Sequence, residues 1–323
     1  MNNFQYSEPS SLDEASRQLS DDWKKSLPYA GGTDLLGLVK NNIESPEQLV
    51  NLKSLPGLDD INYKKGRGLS IGALVKISDI AGNQLIKDKY HVLAEAAMEV
   101  ASPQLRNMGT LGGNLCQRPR CWYFRGDFNC LRKGGDICFA AGGENKYHCI
   151  TDGGPCYIVH PSDMAVALLS LDAKINIYSA GKIKSVPVSE FFVLPKDDIL
   201  RENVLKPGEI VTGVDIPDLD DGSRSWYLKF KERGAWDFAV VSVAAVVNKS
   251  GNQIVNGRIA FGGVAPIPWE DKTLNTKLKG VLNARKTNDL SQGILKDAEP
   301  MEQNAYKIIL TRNLTQKLLS RLI

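Results

Sequence analysis

Gly109-Thr110-Leu111-Gly112-Gly113-Asn114 is the second of two glycine turns in the first half of the chain; the first is Ala30-Gly31-Gly32-Thr33-Asp34. An apolar strand end, Leu27-Pro28-Tyr29, leads into the first turn, and Leu35, Leu36, Leu38 and Val39 then fit one face of a helix. Phosphates bind such turns because glycine lets backbone N–H groups converge without Cβ clashes, while the helix that follows adds positive potential. Thr33, Thr110 and Asn114 add side-chain donors. Each turn taken singly reads equally as a strand–helix connection that needs glycine for a positive φ. Together they offer two sets of donors to one pyrophosphate, which favours a dinucleotide over a mononucleotide. Neither is a G-x-G-x-x-G fingerprint or a Walker loop, so a Rossmann nicotinamide site is not indicated.

Around these turns the chain mixes strand and helix signals. Ser11 and Glu14 have the spacing of a capping box and predict a helix over 11–19. Helical spacing recurs over 90–101 and, after Ser162, over 163–171. Strands are expected at 48–52, 68–71, 174–178 and 209–216. Residues 217–223, rich in Asp and Gly, read as a linker. Beyond it, strands are expected at 226–230 and 238–247, and Lys249-Ser250-Gly251-Asn252 turns into another over 254–261. Helices close the chain, the last over 306–323. The pattern predicts an α+β protein of two domains, 1–217 and 222–323.

Composition narrows the function. A chain of 323 residues with 42% hydrophobic and 24% charged residues is globular, neither disordered nor fibrous. A net charge of +3 gives no reason to expect nucleic acid. No apolar run approaches the ~18–20 residues that span a bilayer. The polar start, residues 1–13, lacks the features of an export signal, so a cytoplasmic location is expected, periplasmic only if an exported partner carries the chain.

The cysteines are distributed unevenly. Cys116, Cys121, Cys130, Cys138, Cys149 and Cys156 all fall in one segment, and the rest of the chain has none. Without export, disulfides are disfavoured and a local cluster reads as a metal site. Zinc usually takes tight C-x2–4-C pairs, which the spacing of Cys121, Cys130, Cys138 and Cys156 does not supply; bacterial ferredoxin runs do not match either. The segment has little apolar content and no clear period, so a bound cofactor is the expected source of its order. Buried reduced thiols are the other reading.

The two glycine turns, with His160-Pro161-Ser162-Asp163-Met164, Trp236-Asp237-Phe238-Ala239-Val240-Val241 and Phe261-Gly262-Gly263-Val264-Ala265-Pro266, resemble the FAD-binding medium subunit of the xanthine dehydrogenase (molybdenum hydroxylase) family. The likeness spans essentially the whole chain. In most members the Gly-Gly-Asn turn runs almost directly into the Ser-Asp helix. Here the cysteine segment, 115–157, intervenes. This insertion is similar to one in 4-hydroxybenzoyl-CoA reductase beta subunits and in the FAD subunit of periplasmic aldehyde oxidoreductase, where it carries a 4Fe–4S cluster.

The resemblance implies a two-part FAD-binding domain with a cluster-binding insertion, followed by a smaller α+β domain. Ala30, Gly31, Gly32, Thr33, Asp34 and Leu35 would line the FAD pyrophosphate, with Thr110, Gly113 and Asn114 forming a second flavin loop. Ser162 and Asp163 would reach the ribose or pyrophosphate, and Lys229 would stand near the flavin ring, though it also reads as a solvated lysine on an alternating strand. Cys121, Cys130, Cys138 and Cys156 would ligate the cluster, with Cys149 spare or a substitute for Cys156. No catalytic side chain is expected. The implied function is electron transfer between a molybdenum-cofactor large subunit, a small subunit with two 2Fe–2S clusters, and an external carrier such as a ferredoxin-like protein. Arg118, Arg120, Arg125, Arg132 and Lys133 would either face such a carrier, solvate the loop or neutralise the cluster. The alternatives are a free-standing FAD oxidase and a zinc-binding scaffold.

Overall fold

The structure, a computed structural model, describes residues 1–19 and 22–322. It opens with a small parallel sheet in which Gln48–Asn51 lies between Gln5–Ser7 and Ser26–Tyr29. In its central strand Leu49 and Val50 are both buried, one on each face of the sheet. Helix Leu12–Gln18 begins where expected: Ser11 Oγ accepts from Glu14 N, and the Glu14 carboxylate in turn accepts from Ser10 N. Helix Leu35–Lys40 follows the first glycine turn and buries Leu38 and Val39.

The second sheet is antiparallel, in the order Ile61–Lys64, Gly68–Gly72, Ile210–Ile216, Lys174–Ser179, Lys182–Pro187. Its two outer strands, Ile61–Lys64 and Lys182–Pro187, carry few buried apolar side chains and had no signal in the sequence. The main core lies between this sheet and a third one. It is filled by helix His91–Glu99 and by helix Asp163–Ser170, every residue of which is buried.

The third sheet runs antiparallel through Ser223–Phe230, Val241–Ser250 and Gln253–Gly262, with short additions at Trp269–Glu270 and Gly280–Val281. Helix Tyr306–Ser320 packs on it and closes a second core. The strand expected over 238–247 starts three residues late. The Asp237 carboxylate accepts from the backbone N–H groups of Glu232, Arg233 and Phe238, so 231–240 folds into a loop instead of extending the strand.

The cysteine segment overturns the expectation attached to it. Among the described residues no group of three or more His, Cys, Asp or Glu side chains is placed to hold a metal ion. Cys121, Cys130, Cys138 and Cys156 therefore do not form the expected 4Fe–4S site, and the fold is an α+β architecture without a cluster-binding insertion. All six cysteines are free. Cys121 Sγ lies 3.2 Å from His148 Nε2. Cys130 packs with Leu38 and Phe124 in a small apolar cluster with Cys121 against it, and burial pushes the Cys121 thiol up to about 11. Cys138 and Cys156 share a hydrogen bond, which holds the Cys138 pKa up and, with Arg132 alongside, the Cys156 pKa down.

What orders the segment is its contacts with the rest of the chain. Arg132 pairs with Glu202 at 2.5 Å, and Arg118 pairs with both Glu44 and Glu202. Arg120 and Arg125 both reach Asp34, and Lys133 Nζ donates to the Gly126 carbonyl. The five cations are thus engaged within the protein and do not make a free docking face. At the other end, Asn304 donates to the carbonyls of Asn145, His148 and Cys149, and the buried Lys307 ammonium donates to those of Tyr147, His148 and Gly263. Edge-on and stacked contacts join Trp122, Tyr123, Phe128, Phe139 and Tyr147. The segment has little core of its own but is stapled at both ends.

Candidate functional site

The two glycine turns meet. A Cβ on Gly31 would lie 2.0 Å from the Met108 carbonyl oxygen, and one on Gly109 would lie 3.5 Å from Thr33 Oγ1. Gly32 has φ +70°, where a side chain would also strike the Tyr29 ring and Leu36. Glycine is required at 31 by this approach and at 32 by the backbone conformation.

The turns differ in what they offer a ligand. Among the described residues, no protein acceptor takes the backbone N–H of Gly31, Gly32, Thr33, Asp34 or Leu35, and none of these residues is buried. Unpaired, partly exposed amides at a helix start are donors of the kind that can take an anion. In the second turn the amides are already used: Leu111 N donates to Val75 O, Gly112 N to Ala73 O, Gly113 N to Thr110 Oγ1 and Asn114 N to Thr110 O. Thr110 is the N-cap of helix Leu111–Leu115. This turn forms a wall against the first, with Asn114 as its polar handle. Ser162 Oγ donates to Asn114 Oδ1 at 2.5 Å while accepting from Ala165 N as the N-cap of the buried helix.

Asp163 and Lys229 form a buried pair. Lys229 Nζ donates to Asp163 Oδ2 at 2.8 Å and to the Glu99 carbonyl at 2.9 Å, and Tyr227 OH donates to Asp163 Oδ1 at 2.5 Å. Burial raises the Asp163 pKa, opposed by Lys229, and burial beside Asp163 holds the Tyr227 phenol well above its ordinary value. The lysine is buried and paired, not solvated. The pairing follows from the sheet register, which sets Lys229 opposite Ser242 and Tyr227 opposite Ala244, facing the helix that carries Asp163.

The Asp34 carboxylate is engaged by the cysteine segment. It takes Arg125 at 2.7 Å, Arg120 at 3.0 Å and the Arg118 backbone N–H at 2.8 Å. Arg120 also stacks on Phe238, 5.0 Å from the ring centre. Arg120 and Phe238 line a pocket of ≈ 30 Å³ with His160, Ser162, Asp163 and Ser242. The first turn, the Ser162–Asp163 helix start and the 231–240 loop thus connect through Arg120. Tyr227 and the Asp34–arginine pairs had no local signal in the sequence, since their partners lie far along the chain. A larger cleft of ≈ 680 Å³ lies in the C-terminal half, between Trp269, Leu274 and Leu290, and contains none of the glycine-turn residues.

Residues 2–219 match the family described as the FAD binding domain in molybdopterin dehydrogenase, and 226–322 match the CO dehydrogenase flavoprotein C-terminal domain. The chain belongs to this family, and is the flavoprotein subunit of an oxidoreductase of the xanthine dehydrogenase and CO dehydrogenase type. It is 37% identical over 288 residues to the aldehyde oxidoreductase FAD-binding subunit PaoB of Escherichia coli K12, covering 88% of this chain and 87% of that one. It is 29% identical to the glyceraldehyde dehydrogenase medium chain of Sulfolobus acidocaldarius, over 90% and 85% of the two chains. A solved structure of carbon monoxide dehydrogenase from Hydrogenophaga pseudoflava, lacking the Mo-pyranopterin moiety of its cofactor, has the same fold: TM-score 0.78, 22% identity, 99% of this chain and 96% of that one. No helix among the described residues is long and apolar enough to cross a membrane.

Proposed function

We propose that this chain binds FAD and passes electrons within a molybdenum hydroxylase complex. The observation that carries the reading is the run of unpaired amides at Gly31, Gly32, Thr33, Asp34 and Leu35, set against the second glycine turn. A pyrophosphate has the charge and size to take those donors, and Gly31 and Gly32 let the turn that carries them lie against Met108 and take up its positive φ. Ala30 directly follows strand Ser26–Tyr29 and leads into the turn. Thr110, Gly113 and Asn114 shape the facing wall, and Ser162 fixes the Asn114 amide. Asp163 and Lys229 act together, as a buried neutralised pair behind the helix start.

When bound, FAD supplies redox chemistry in one- or two-electron steps; the chain contributes binding, orientation and electrostatics. The family reading also proposes a molybdenum-bearing large subunit and a small 2Fe–2S subunit as partners, and a division into domains at 217–222. A ferredoxin-like carrier has no support left in the fold, because the basic residues once assigned to it are paired internally. The location, cytoplasmic or with an exported partner periplasmic, follows the complex.

The test is direct. Purified chain should hold about one FAD, and acid precipitation should release it into the supernatant, since no linkage to the protein is proposed. Yellow colour kept in the pellet would show a covalent attachment instead; a colourless protein that takes up no added FAD would end the reading.

A further inference from the structure

The flavin reading leaves two exposed aromatic side chains unexplained. Trp236 is 62% exposed and Phe238 44% exposed, on the loop that follows strand Ser223–Phe230. Trp236 has φ +54°, a conformation that a bulky residue adopts only when its surroundings hold it there. They do hold it. Its N–H donates to the Ala101 carbonyl at 3.3 Å, and Arg233 donates to its carbonyl at 2.9 Å with the guanidinium over the indole. Asp237 ties down three amides of the same loop. Ala101, its anchor, is itself at φ +45° and lies at the head of the segment that runs into the second glycine turn.

The loop is therefore joined through Trp236 to the segment leading to Gly109, and through Phe238 to Arg120, with Ser162 and Asp163 lining the same small pocket. Resting on the flavin reading above, a dinucleotide with its pyrophosphate on the first turn has an apolar, planar end to cover. Two exposed large aromatics, one of them held in a fixed and costly backbone conformation, on a loop tied to the segment before Gly109 and to Arg120, are suited to that role.

We propose that Trp236, with Phe238 beneath Arg120, is the aromatic cover of the flavin ring and positions it. Strain at Trp236 is retained because the indole must stand where it does; glycine would suit the backbone better.

That last point supplies a test in which folding is not at risk. Trp236→Gly removes the ring and relieves the φ strain, so thermal stability should be equal or higher. The full-length chain is compared with Trp236→Gly and Trp236→Phe after removal and readdition of FAD. FAD should quench tryptophan emission in the wild type, and the quenched part should fall by at least half in Trp236→Phe. Iodide should reach the flavin several-fold more readily in Trp236→Gly, and the long-wavelength flavin band should shift. A wild-type chain that takes up no FAD overturns the flavin reading and this inference with it. A wild-type chain that takes up FAD, with quenching and flavin accessibility unaltered in both variants, overturns this inference alone.

Discussion

Gly31 and Met108, far apart in the chain, are in backbone contact: a Cβ on Gly31 would sit 2.0 Å from the Met108 carbonyl oxygen. The contact sets the first glycine turn against the second. It fixes the direction in which the free amides of 31–35 face.

Gly31→Ala should therefore separate the turns. Backbone cannot yield as a flexible side chain does, and overpacking of this kind costs ~1–3 kcal/mol. A urea titration should show a lower midpoint, and FAD affinity should drop at least tenfold. A variant that keeps both values would show that the turns are free to move apart.

Asp34 holds the cysteine segment to the first turn. Asp34→Asn removes the anion shared by Arg120 and Arg125 while keeping the size of the side chain. These groups are partly buried, so the loss should fall between surface and buried pairs, about 1–3 kcal/mol. Limited proteolysis should then cut within 115–157 faster than in the wild type. Unchanged cleavage would mean that the ends near Glu202 and Lys307 suffice.

Lys229→Met keeps the stem but leaves Asp163 buried without its cation. Breaking a buried pair from one side costs ~3–5 kcal/mol. The Asp163 carboxyl, already raised by burial, should rise further and take up a proton. Denaturation of Lys229→Met and of the double variant Lys229→Met/Asp163→Asn separates the effects: the second change should restore part of the stability. An additive loss would refute the pairing.

His160 is buried, packs on Phe192 and accepts from Ser162 N; burial lowers its pKa to about 3. The unfolded chain, with an ordinary value near ~6.5, binds its proton first as pH falls. Its contribution to stability is complete above ~6.5 and is lost on acidification toward 3. Over that window the wild type should lose up to about 1.4 kcal/mol per pH unit more than His160→Gln. Parallel melting curves from pH 7 to 4 would contradict the assignment.

Much of the fold was legible because its signals are local. Ser11 and Ser162 cap helices that start where expected, whereas helix Leu111–Leu115, capped by Thr110, was read as a glycine turn. Gly31 and Gly32 stand out because few other residues fit there. The cysteine segment was misread for the same reason. Its spacing and low apolar content suggested a cofactor as the source of order, whereas its order comes from Asp34, Glu44, Glu202, Asn304 and Lys307, none of them within the segment. Long-range ion pairs leave no periodic trace. The Tyr227–Asp163–Lys229 group escaped in part for that reason too: strand alternation suggested an outward Lys229, while the buried helix Asp163–Ser170 supplies an acid on the inward side.

The most direct test of the account is the flavin content of Gly32→Val beside that of the wild type. Valine at φ +70° is strained by ~1–3 kcal/mol and would strike the Tyr29 ring and Leu36, displacing the turn that carries the free amides, while its nearest neighbours all lie before residue 40. The account predicts about one FAD per wild-type chain and less than a tenth of that in Gly32→Val, with the far-ultraviolet spectrum little changed. A Gly32→Val chain that retains a full complement of FAD would contradict it, because the dinucleotide would then be bound somewhere other than the first glycine turn.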